Sequence, residues 1–362
     1  MYLMNIDEPV LWFDDTDYSV IVMNNEMLPY SLRDGIKSSN DCKTPKEIAV
    51  NFDKIRHFFA DRTLSLSRDN AKQILISLGE SQHLTEEESY QLSLKCRALS
   101  VTDSFWIKED NENVKFQDIN LRTNSLSDAI FQITMKGTPI SLTHDILAAD
   151  ISTKGMFRKA WMREKDGLYL YKSDKTSDFI NTKCELFASS LLEKSNIPHI
   201  SYSKVIKEDV FCCKCPCFTD NDKSFVEWAY VKDYFKRKGL DILDFVKENY
   251  ATEFANLIMT DYIFANPDRH IFNYGFMVDA KSNKIIGLAP AFDYNQSFIA
   301  LLMNKEKEFE QLIYPLTEKT IADTVEEWKA FSNINIDLSD KSLILQQRMN
   351  KANNKKEIIE EE

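Results

Sequence analysis

The pattern of apolar and polar positions divides the chain into three parts. In the first part, the apolar run at 18–23 predicts a strand, and the segments at 69–79 and 85–99 predict helices. Thr85 with Glu88 three residues later is a capping-box pattern, which predicts that the second helix begins there. No motif with evident chemistry occurs in this part. We expect an accessory N-terminal α/β domain over residues 1–138.

The middle part has the pattern of a small mixed lobe. The alternating aromatic segment GLYLYKS at 167–173 predicts a strand. Residues 181–200 predict a helix that begins with a cap at Asn181 and ends before Pro198. The segments 201–207 and 210–218 predict two further strands. Strand, helix, strand, strand is the content of a small β-rich lobe, which we assign to residues 139–220.

The last part, residues 221–362, has mainly helical periodicity. Helices are predicted over 224–239 and 241–266, and shorter ones at 305–313, 318–332 and 339–358. Pro267 ends the second helix, because the residue before a proline is pushed out of the helical region. The end of the chain, 351–362, is expected to be a flexible tail. The predicted fold is α+β, with a small β-rich lobe joined to a larger helical lobe.

Polar residues crowd together just after Pro267, in the segment NPDRHIFNYGF. Residues 274–279 and 284–289 then predict a hairpin, so residue 274 lies opposite about residue 289. This pairing places Asn273 and Asp293 beyond the same end of the hairpin, with Asp268 close by. Asp-x-x-x-x-Asn with a second Asp after a hairpin is the pattern of protein kinases, where a carboxylate accepts the hydroxyl proton and oxygen ligands hold Mg²⁺.

A purely structural interpretation of these three residues stays open. Asp268 could cap the loop, Asn273 could close a turn, and Asp293 could be a surface carboxylate. Arg269 could be a salt-bridge partner or could steady phosphate charge.

Two upstream features fit phosphate binding. Lys172 is on the predicted strand 167–173, and Glu185 is in the following helix, where the partner of such a lysine is expected. Before the strand, Gly155 can let the backbone approach a phosphate. The residues around it that supply donors and charge are Ser152, Thr153, Lys154, Arg158 and Lys159.

Composition limits the alternatives. The net charge is −12 and the pI is near 5.1, so no basic nucleic-acid footprint is expected over the whole chain. No apolar run is long enough for a membrane helix, and the first residues do not resemble a secretory signal, so a cytoplasmic location is expected. The four cysteines of FCCKCPCF lack zinc-site spacing and better suit a buried strand.

These residues resemble the HipA-like serine/threonine kinases, bacterial toxin kinases whose fold is distantly related to protein and phosphoinositide kinases. The resemblance covers roughly residues 140–335. Its two specific motifs are Asp268-Arg-His-Ile-Phe-Asn273, which is similar to the family's Asp-x-His-x-x-Asn catalytic loop, and Ala289-Pro-Ala-Phe-Asp293, which is similar to its metal motif.

The resemblance implies an ATP- and Mg²⁺-dependent protein kinase with a two-lobed kinase-like fold. Asp268 would be the catalytic base, and Asn273 and Asp293 would be the metal ligands. Ser152 would be an autophosphorylation site. The implied ATP-binding residues are Ser152, Thr153, Lys154, Gly155, Lys159, Lys172, Glu185, Pro216, Phe218 and His270.

The resemblance also implies partners. We expect a protein substrate, a role in growth regulation of the toxin type, and a small DNA-binding antitoxin, with no direct contact to nucleic acid or membrane. The first 138 residues do not resemble the family's usual short N-terminal subdomain, and the hinge lies in the cysteine-rich segment 211–218. A lipid or small-molecule kinase, and a pseudokinase that only binds nucleotide, are the alternatives.

Overall fold

The structure of the protein is a computed structural model that describes residues 1–124, 126, 129–138, 140, 153 and 155–353. The predicted sites Ser152 and Lys154 lie outside the described residues. The strands are β1 Tyr2–Asn5, β2 Glu8–Asp14, β3 Ser19–Val22, β4 Phe105–Lys108, β5 Arg158–Glu164, β6 Gly167–Ser173, β7 Ser203–Lys207, β8 Val210–Pro216, β9 Lys223–Glu227, β10 Gly275–Asp279, β11 Ile285–Leu288, β12 Ile313–Tyr314 and β13 Lys319–Thr320.

Helices account for more of the described chain than strands do. The α-helices are α1 Pro45–Ala60, α2 Ala71–Ser77, α3 Glu86–Lys95, α4 Phe116–Ile119, α5 Ala129–Phe131, α6 Ile180–Leu192, α7 Trp228–Arg237, α8 Ile242–Asn249, α9 Ala251–Ile263, α10 Ile299–Leu302, α11 Glu306–Glu310, α12 Ile321–Trp328 and α13 Leu343–Asn353. A π-helical turn, Gln132–Lys136, continues α5, and short 3-10 turns occur at Asn25–Met27, Ser39–Asp41 and Lys329–Phe331.

The strands form four antiparallel sheets among the described residues, and two of these sheets pair strands that are distant in the chain. One sheet has the order β3-β2-β1-β4, and a second has the order β5-β6-β8-β7, with α6 in the connection between β6 and β7. A third has the order β11-β10-β9, and β12 pairs with β13. Because β6 is central in the second sheet, residues on it are held from both sides.

Three apolar cores hold these elements together. The first lies between the N-terminal sheet and helices α1 and α3. The second contains Trp106 and Ile130 together with Trp161 and Tyr171 of the second sheet, so it includes residues on both sides of position 138. The third surrounds α9, whose residues 254–263 are all buried. The helix therefore forms a rigid base for the loop that follows it.

Several predicted elements are found where the sequence placed them. The strand at 167–173 is β6. The capping box of α3 is present: Glu88 N donates to Thr85 Oγ1 at 3.2 Å, and Thr85 N donates to Glu88 Oε2 at 2.7 Å. The hairpin is β10–β11, in which Phe276 pairs with Leu288.

Other predicted elements were wrong in their bounds. The helix predicted from residue 224 begins only at Trp228, because residues 223–227 pair with β10 as strand β9. Gly275 permits this pairing, since a Cβ there would collide with the backbone of Val226 and Glu227. The helix predicted over 241–266 is two helices, interrupted at Tyr250, whose φ of −142° is not helical.

The cap predicted at Asn181 was also wrong. Helix α6 begins at Ile180, and the groups that need capping are bonded by Asp174 instead. The Asp174 carboxylate accepts hydrogen bonds from the backbone N–H groups of Asn181 at 2.8 Å and Thr182 at 2.9 Å.

Within the part of the chain that the structure describes, no helix is both long and apolar enough to cross a membrane.

Candidate active site

A buried lysine joins the second sheet to helix α6 and to the segment after the hairpin. Lys172, on β6, donates from Nζ to Asp293 Oδ1 at 2.7 Å, to Tyr202 OH at 3.1 Å and to Glu185 Oε2 at 3.3 Å. An ammonium group has three donors, so these contacts satisfy all of them. The predicted partnership of Lys172 with Glu185 is therefore present, and Asp293 is a second partner.

Electrostatics favour the charged form of this lysine and of Asp293. Burial disfavours the ammonium, but the carboxylates of Asp293 and Glu185 outweigh it and hold the pKa of Lys172 well above its usual value. Burial likewise opposes ionisation of Asp293, but Lys172 and Lys159 lower its pKa to about 2. Burial raises the pKa of Glu185 more than Lys172 lowers it. The Lys172–Asp293 pair is therefore the ionic centre of the site at neutral pH.

The segment around Asp293 is held in an unusual backbone conformation. Asp293 has a φ of 62°, in the left-handed region that non-glycine residues seldom adopt. Its carboxylate also accepts a hydrogen bond from Asn295 Nδ2 at 3.1 Å. The next backbone N–H, that of Tyr294, donates to Glu185 Oε1 at 3.0 Å. Glu185 therefore fixes both Lys172 and the segment that carries Asp293.

The loop after α9 brings the other two predicted polar residues together. Asn273 Nδ2 donates to the carbonyl oxygen of Asp268 at 2.9 Å and lies 3.5 Å from its Oδ2. Burial raises the pKa of Asp268, and the nearby negative charge of Asp293 raises it further. A carboxyl with a raised pKa is a better proton acceptor at neutral pH than an ordinary aspartate.

A cleft lies between the second sheet and this loop. Among the residues that line it are Lys159, Lys172, Pro216, Phe218, Asn273 and Asp293. The predicted site residues Thr153, Gly155 and His270 line it too. Glu185 and Asp268 are not among the lining residues, but each is hydrogen-bonded to one of them: Glu185 to Lys172, and the backbone carbonyl of Asp268 to Asn273.

Lys159 gives the cleft a second amine. It lies directly across from Lys172 in the β5–β6 pairing, and both side chains are buried. Burial and the neighbouring Lys172 lower the pKa of Lys159 to about 7, although Asp293 acts in the opposite direction. Gly155 has a φ of 101° and packs so closely that a Cβ there would collide with the Lys159 ammonium group. Two amines beside a close glycine backbone suit a polyanionic ligand.

Comparison with known proteins relates this architecture to solved structures. No protein-family model matches the chain, and no curated protein matches its sequence. The complex of HipA, HipB and operator DNA from Shewanella oneidensis MR-1 matches with a TM-score of 0.52 and 13% identity, over 97% of this chain and 87% of that chain. The chain has a HipA-like kinase fold.

A second similar structure is the Helicobacter pylori proinflammatory kinase CtkA, which matches 54% of this chain and 88% of that chain, with 14% identity and a TM-score of 0.38. The HipA alignment leaves out only about 11 of the 362 residues of this chain. It therefore includes most of the first 138 residues, where the sequence itself did not resemble the family.

Sequence reasoning missed several residues of the cleft in this HipA-like fold. Ser100, Val101 and Thr102 line it from the N-terminal region. The Val101 carbonyl oxygen accepts a hydrogen bond from Thr219 Oγ1 at 2.7 Å, and the Thr102 carbonyl oxygen accepts one from Phe225 N at 2.7 Å. These contacts join distant parts of the chain, so no local motif could have indicated them.

Two further missed residues lie close to predicted ones. Tyr202 lines the cleft and contacts Lys172, and Asn295 contacts Asp293. Asn295 follows the metal motif by two positions, so its polar character beside Asp293 was a usable signal. Tyr202 belongs to a predicted strand with an ordinary residue pattern, so nothing in the sequence indicated that it contacts the site.

The donor set in the cleft fits a magnesium ion and a nucleotide. Asn273 contributes an amide oxygen and Asp293 a carboxylate, the hard oxygen ligands that Mg²⁺ prefers. The buried Oδ1 of Asn295 has no hydrogen-bond partner among the described residues, which leaves one more oxygen close to Asp293. Cys215 also lines the cleft, but burial raises the pKa of its thiol to about 12, so it remains a neutral side chain.

Proposed function

We propose that this protein is an ATP- and Mg²⁺-dependent serine/threonine protein kinase of the HipA type. The observation that supports this most is the contact of the buried Lys172 with both Glu185 and Asp293, beside the hydrogen-bonded pair of Asp268 and Asn273. A lysine, its carboxylate partner, a metal ligand and a base are the parts that phosphoryl transfer requires in kinases.

In the proposed reaction, the chain binds and orients both reactants. Lys172 and Lys159 neutralise phosphate charge, and Pro216 and Phe218 flank the adenine. Asn273 and Asp293 would hold Mg²⁺, which supplies charge stabilisation at the phosphates. The carboxylate of Asp268 accepts the proton of the substrate hydroxyl, and its raised pKa favours this step at neutral pH.

The phosphorylated partner and the regulation are also proposals. The phosphate acceptor is a serine or threonine of a protein substrate, and Ser152 is proposed as the site of autophosphorylation. The similar HipA structure contains HipB and operator DNA. On that basis we propose a toxin-type role for this chain in the cytoplasm and a small DNA-binding antitoxin as its partner.

The decisive experiment compares the parent with Asp268→Asn during incubation with labelled ATP and Mg²⁺, followed by mass spectrometry. The parent should carry phosphate on Ser152. The variant should lose at least about 100-fold in rate, because positioned general bases contribute about 10²- to 10⁴-fold. Asp279→Asn is the matched control, since Asp279 lies at the far end of β10, where its carboxylate bonds Ser282 in the turn.

The outcomes separate the alternatives. Equal rates for the parent and Asp268→Asn would exclude Asp268 as the base. Nucleotide binding without any phosphate transfer by the parent would indicate a pseudokinase. Transfer to lipid vesicles in preference to peptides would indicate a lipid kinase.

A further inference from the structure

Arg269, which lies between the proposed base and His270, is a fully buried residue. Its side chain is 0% exposed and its partner Asp261, on α9, is 1% exposed. The guanidinium donates from Nε to Asp261 Oδ2 at 3.0 Å and from Nη2 to Asp261 Oδ1 at 3.0 Å. Asp261 also accepts hydrogen bonds from Tyr314 OH at 2.7 Å and from Asn266 Nδ2 at 3.0 Å.

The remaining nitrogen of the guanidinium spans two segments of the site. Nη1 donates to the backbone carbonyl oxygen of Asn273 at 3.0 Å and to that of Phe292 at 2.6 Å. The first carbonyl belongs to one proposed metal ligand, and the second belongs to the residue just before the other, Asp293. A single atom therefore bridges the loop after α9 and the segment after the hairpin.

We infer that Arg269 is a positioning residue that, held by Asp261, sets the distance between the two magnesium ligands Asn273 and Asp293. This inference rests on the proposed function. Arg269 does not itself touch substrate in this role. Because it bonds the backbone carbonyl oxygens of Asn273 and Phe292, it positions the Asn273 and Asp293 side chains and leaves their own oxygens available for the metal.

Geometry explains why the residue is arginine. The planar guanidinium can hold a carboxylate with two nitrogens while a third points to the opposite side. A lysine ammonium keeps the charge but has no such fixed fork. The ring of Tyr294, whose centroid lies 4.8 Å from the guanidinium carbon, restricts the group further. Arg269→Lys should therefore preserve the buried ion pair and lose the bridge between the two carbonyls.

The test measures how much Mg²⁺ strengthens nucleotide binding. The affinity for ADP is measured with and without Mg²⁺ by calorimetry, together with the Mg²⁺ dependence of ATP turnover. In Arg269→Lys, we expect affinity without Mg²⁺ to remain within about twofold of the parent. The strengthening by Mg²⁺ should fall at least about tenfold, which is the fold-change expected for losing a hydrogen bond to a charged group.

The matched control is Arg348→Lys, at another buried arginine. Arg348 donates to the Tyr262 carbonyl oxygen, next to Asp261 on the same helix, and packs on the rings of Tyr262 and Phe309. It should lose stability, as seen by its melting temperature, and keep the full Mg²⁺ effect. Asp261→Asn removes the carboxylate that orients the Arg269 guanidinium. It should show the same loss of the Mg²⁺ effect on ADP affinity as Arg269→Lys, and it replaces that variant in the test if Arg269→Lys does not fold.

Two results would overturn the inference. One is folded Arg269→Lys or Asp261→Asn protein in which Mg²⁺ strengthens ADP binding as much as in the parent. The other is an Arg348→Lys control that loses as much of this strengthening as Arg269→Lys does. Either result leaves the proposed function intact if the parent transfers phosphate. Conversely, a parent that binds Mg²⁺ and ADP without phosphate transfer removes the kinase proposal, while the binding measurement still tests Arg269.

Discussion

At the scale of single residues, a bound phosphate has to compete with protein acceptors for the amines of the cleft. All three donors of Lys172 are bonded to protein acceptors, the shortest contact being that with Asp293. A phosphate that binds Lys172 therefore replaces one of these acceptors. Lys159 lies opposite on the neighbouring strand, where its charge is opposed by burial and by Lys172 and favoured by Asp293.

Lys159 should make the stability of the protein depend on pH. Its pKa is about 7 in the folded protein and has the ordinary value of 10.5 in the unfolded chain. Between these values the unfolded state binds more protons, so the free energy of unfolding rises with pH by at most about 1.4 kcal/mol per unit. Below pH 7 the Lys159 amine is protonated in both the folded and the unfolded state, and its full destabilisation of the folded state is then present.

Urea unfolding of the parent and of Lys159→Met between pH 6 and pH 9 checks this. The parent should gain stability relative to the variant above pH 7. Lys281→Met, at a lysine whose side chain is 74% exposed, is the control: it keeps Lys159, so its stability should change with pH in parallel with that of the parent. Parallel curves for the parent and Lys159→Met would contradict the prediction.

At the scale of elements, helix α6 connects Lys172 to the segment that carries Asp293, through Glu185. The position of this helix depends on its first turn, where the carboxylate of Asp174 accepts bonds from two backbone N–H groups and from Thr182 Oγ1 at 2.6 Å. Asp174 comes directly after β6, the strand that carries Lys172. One residue therefore joins the strand and the helix whose side chains meet in the site.

Asp174→Ala should destabilise the protein by about 1–2 kcal/mol or slightly more, since it removes a buried helix cap. It should also weaken nucleotide binding, because Glu185 is no longer held firmly against Lys172. Asn181→Ala, which removes a side chain that donates a hydrogen bond of 3.2 Å to Asp174 Oδ2, should cost less than about 1 kcal/mol. Thermal unfolding and nucleotide titration of both variants measure these effects, and equal losses in the two would show that Asp174 is not the cap.

At the scale of the whole molecule, the N-terminal region and the second sheet are parts of one packing unit. Trp106, Ile130 and Phe131 share a core with Trp161 and Tyr171. Outside this core, Arg122 donates from Nη1 to the carbonyl oxygen of Asp220 at 2.6 Å. The cleft itself includes residues 100–102.

A fragment that begins at residue 139 should therefore not fold by itself. Removing the first 138 residues exposes the apolar face of the second sheet and takes away one wall of the cleft. Circular dichroism and size-exclusion chromatography should show an unfolded or aggregated fragment, in contrast to the full chain. A monomeric fragment with a cooperative melting transition would contradict the prediction.

Several elements and the polar residues of the site could be predicted from local pattern and residue type alone. Periodicity predicted β6, the hairpin and the start of α3, because side-chain alternation and capping are properties of adjacent residues. The order of Asp268, Asn273 and Asp293, with Lys172 and Glu185 upstream, indicated a kinase-like site, and the fold comparison confirms a HipA-like kinase fold.

Features that depend on contacts between distant segments could be identified only in the folded chain. Residues 223–227 have an ambiguous short apolar pattern, and pairing with β10 made them a strand. Arg269 remained open between a phosphate contact and an ion pair until its burial against Asp261 was seen. The wall formed by residues 100–102 depends on hydrogen bonds across more than 100 positions, and no local periodicity encodes such contacts.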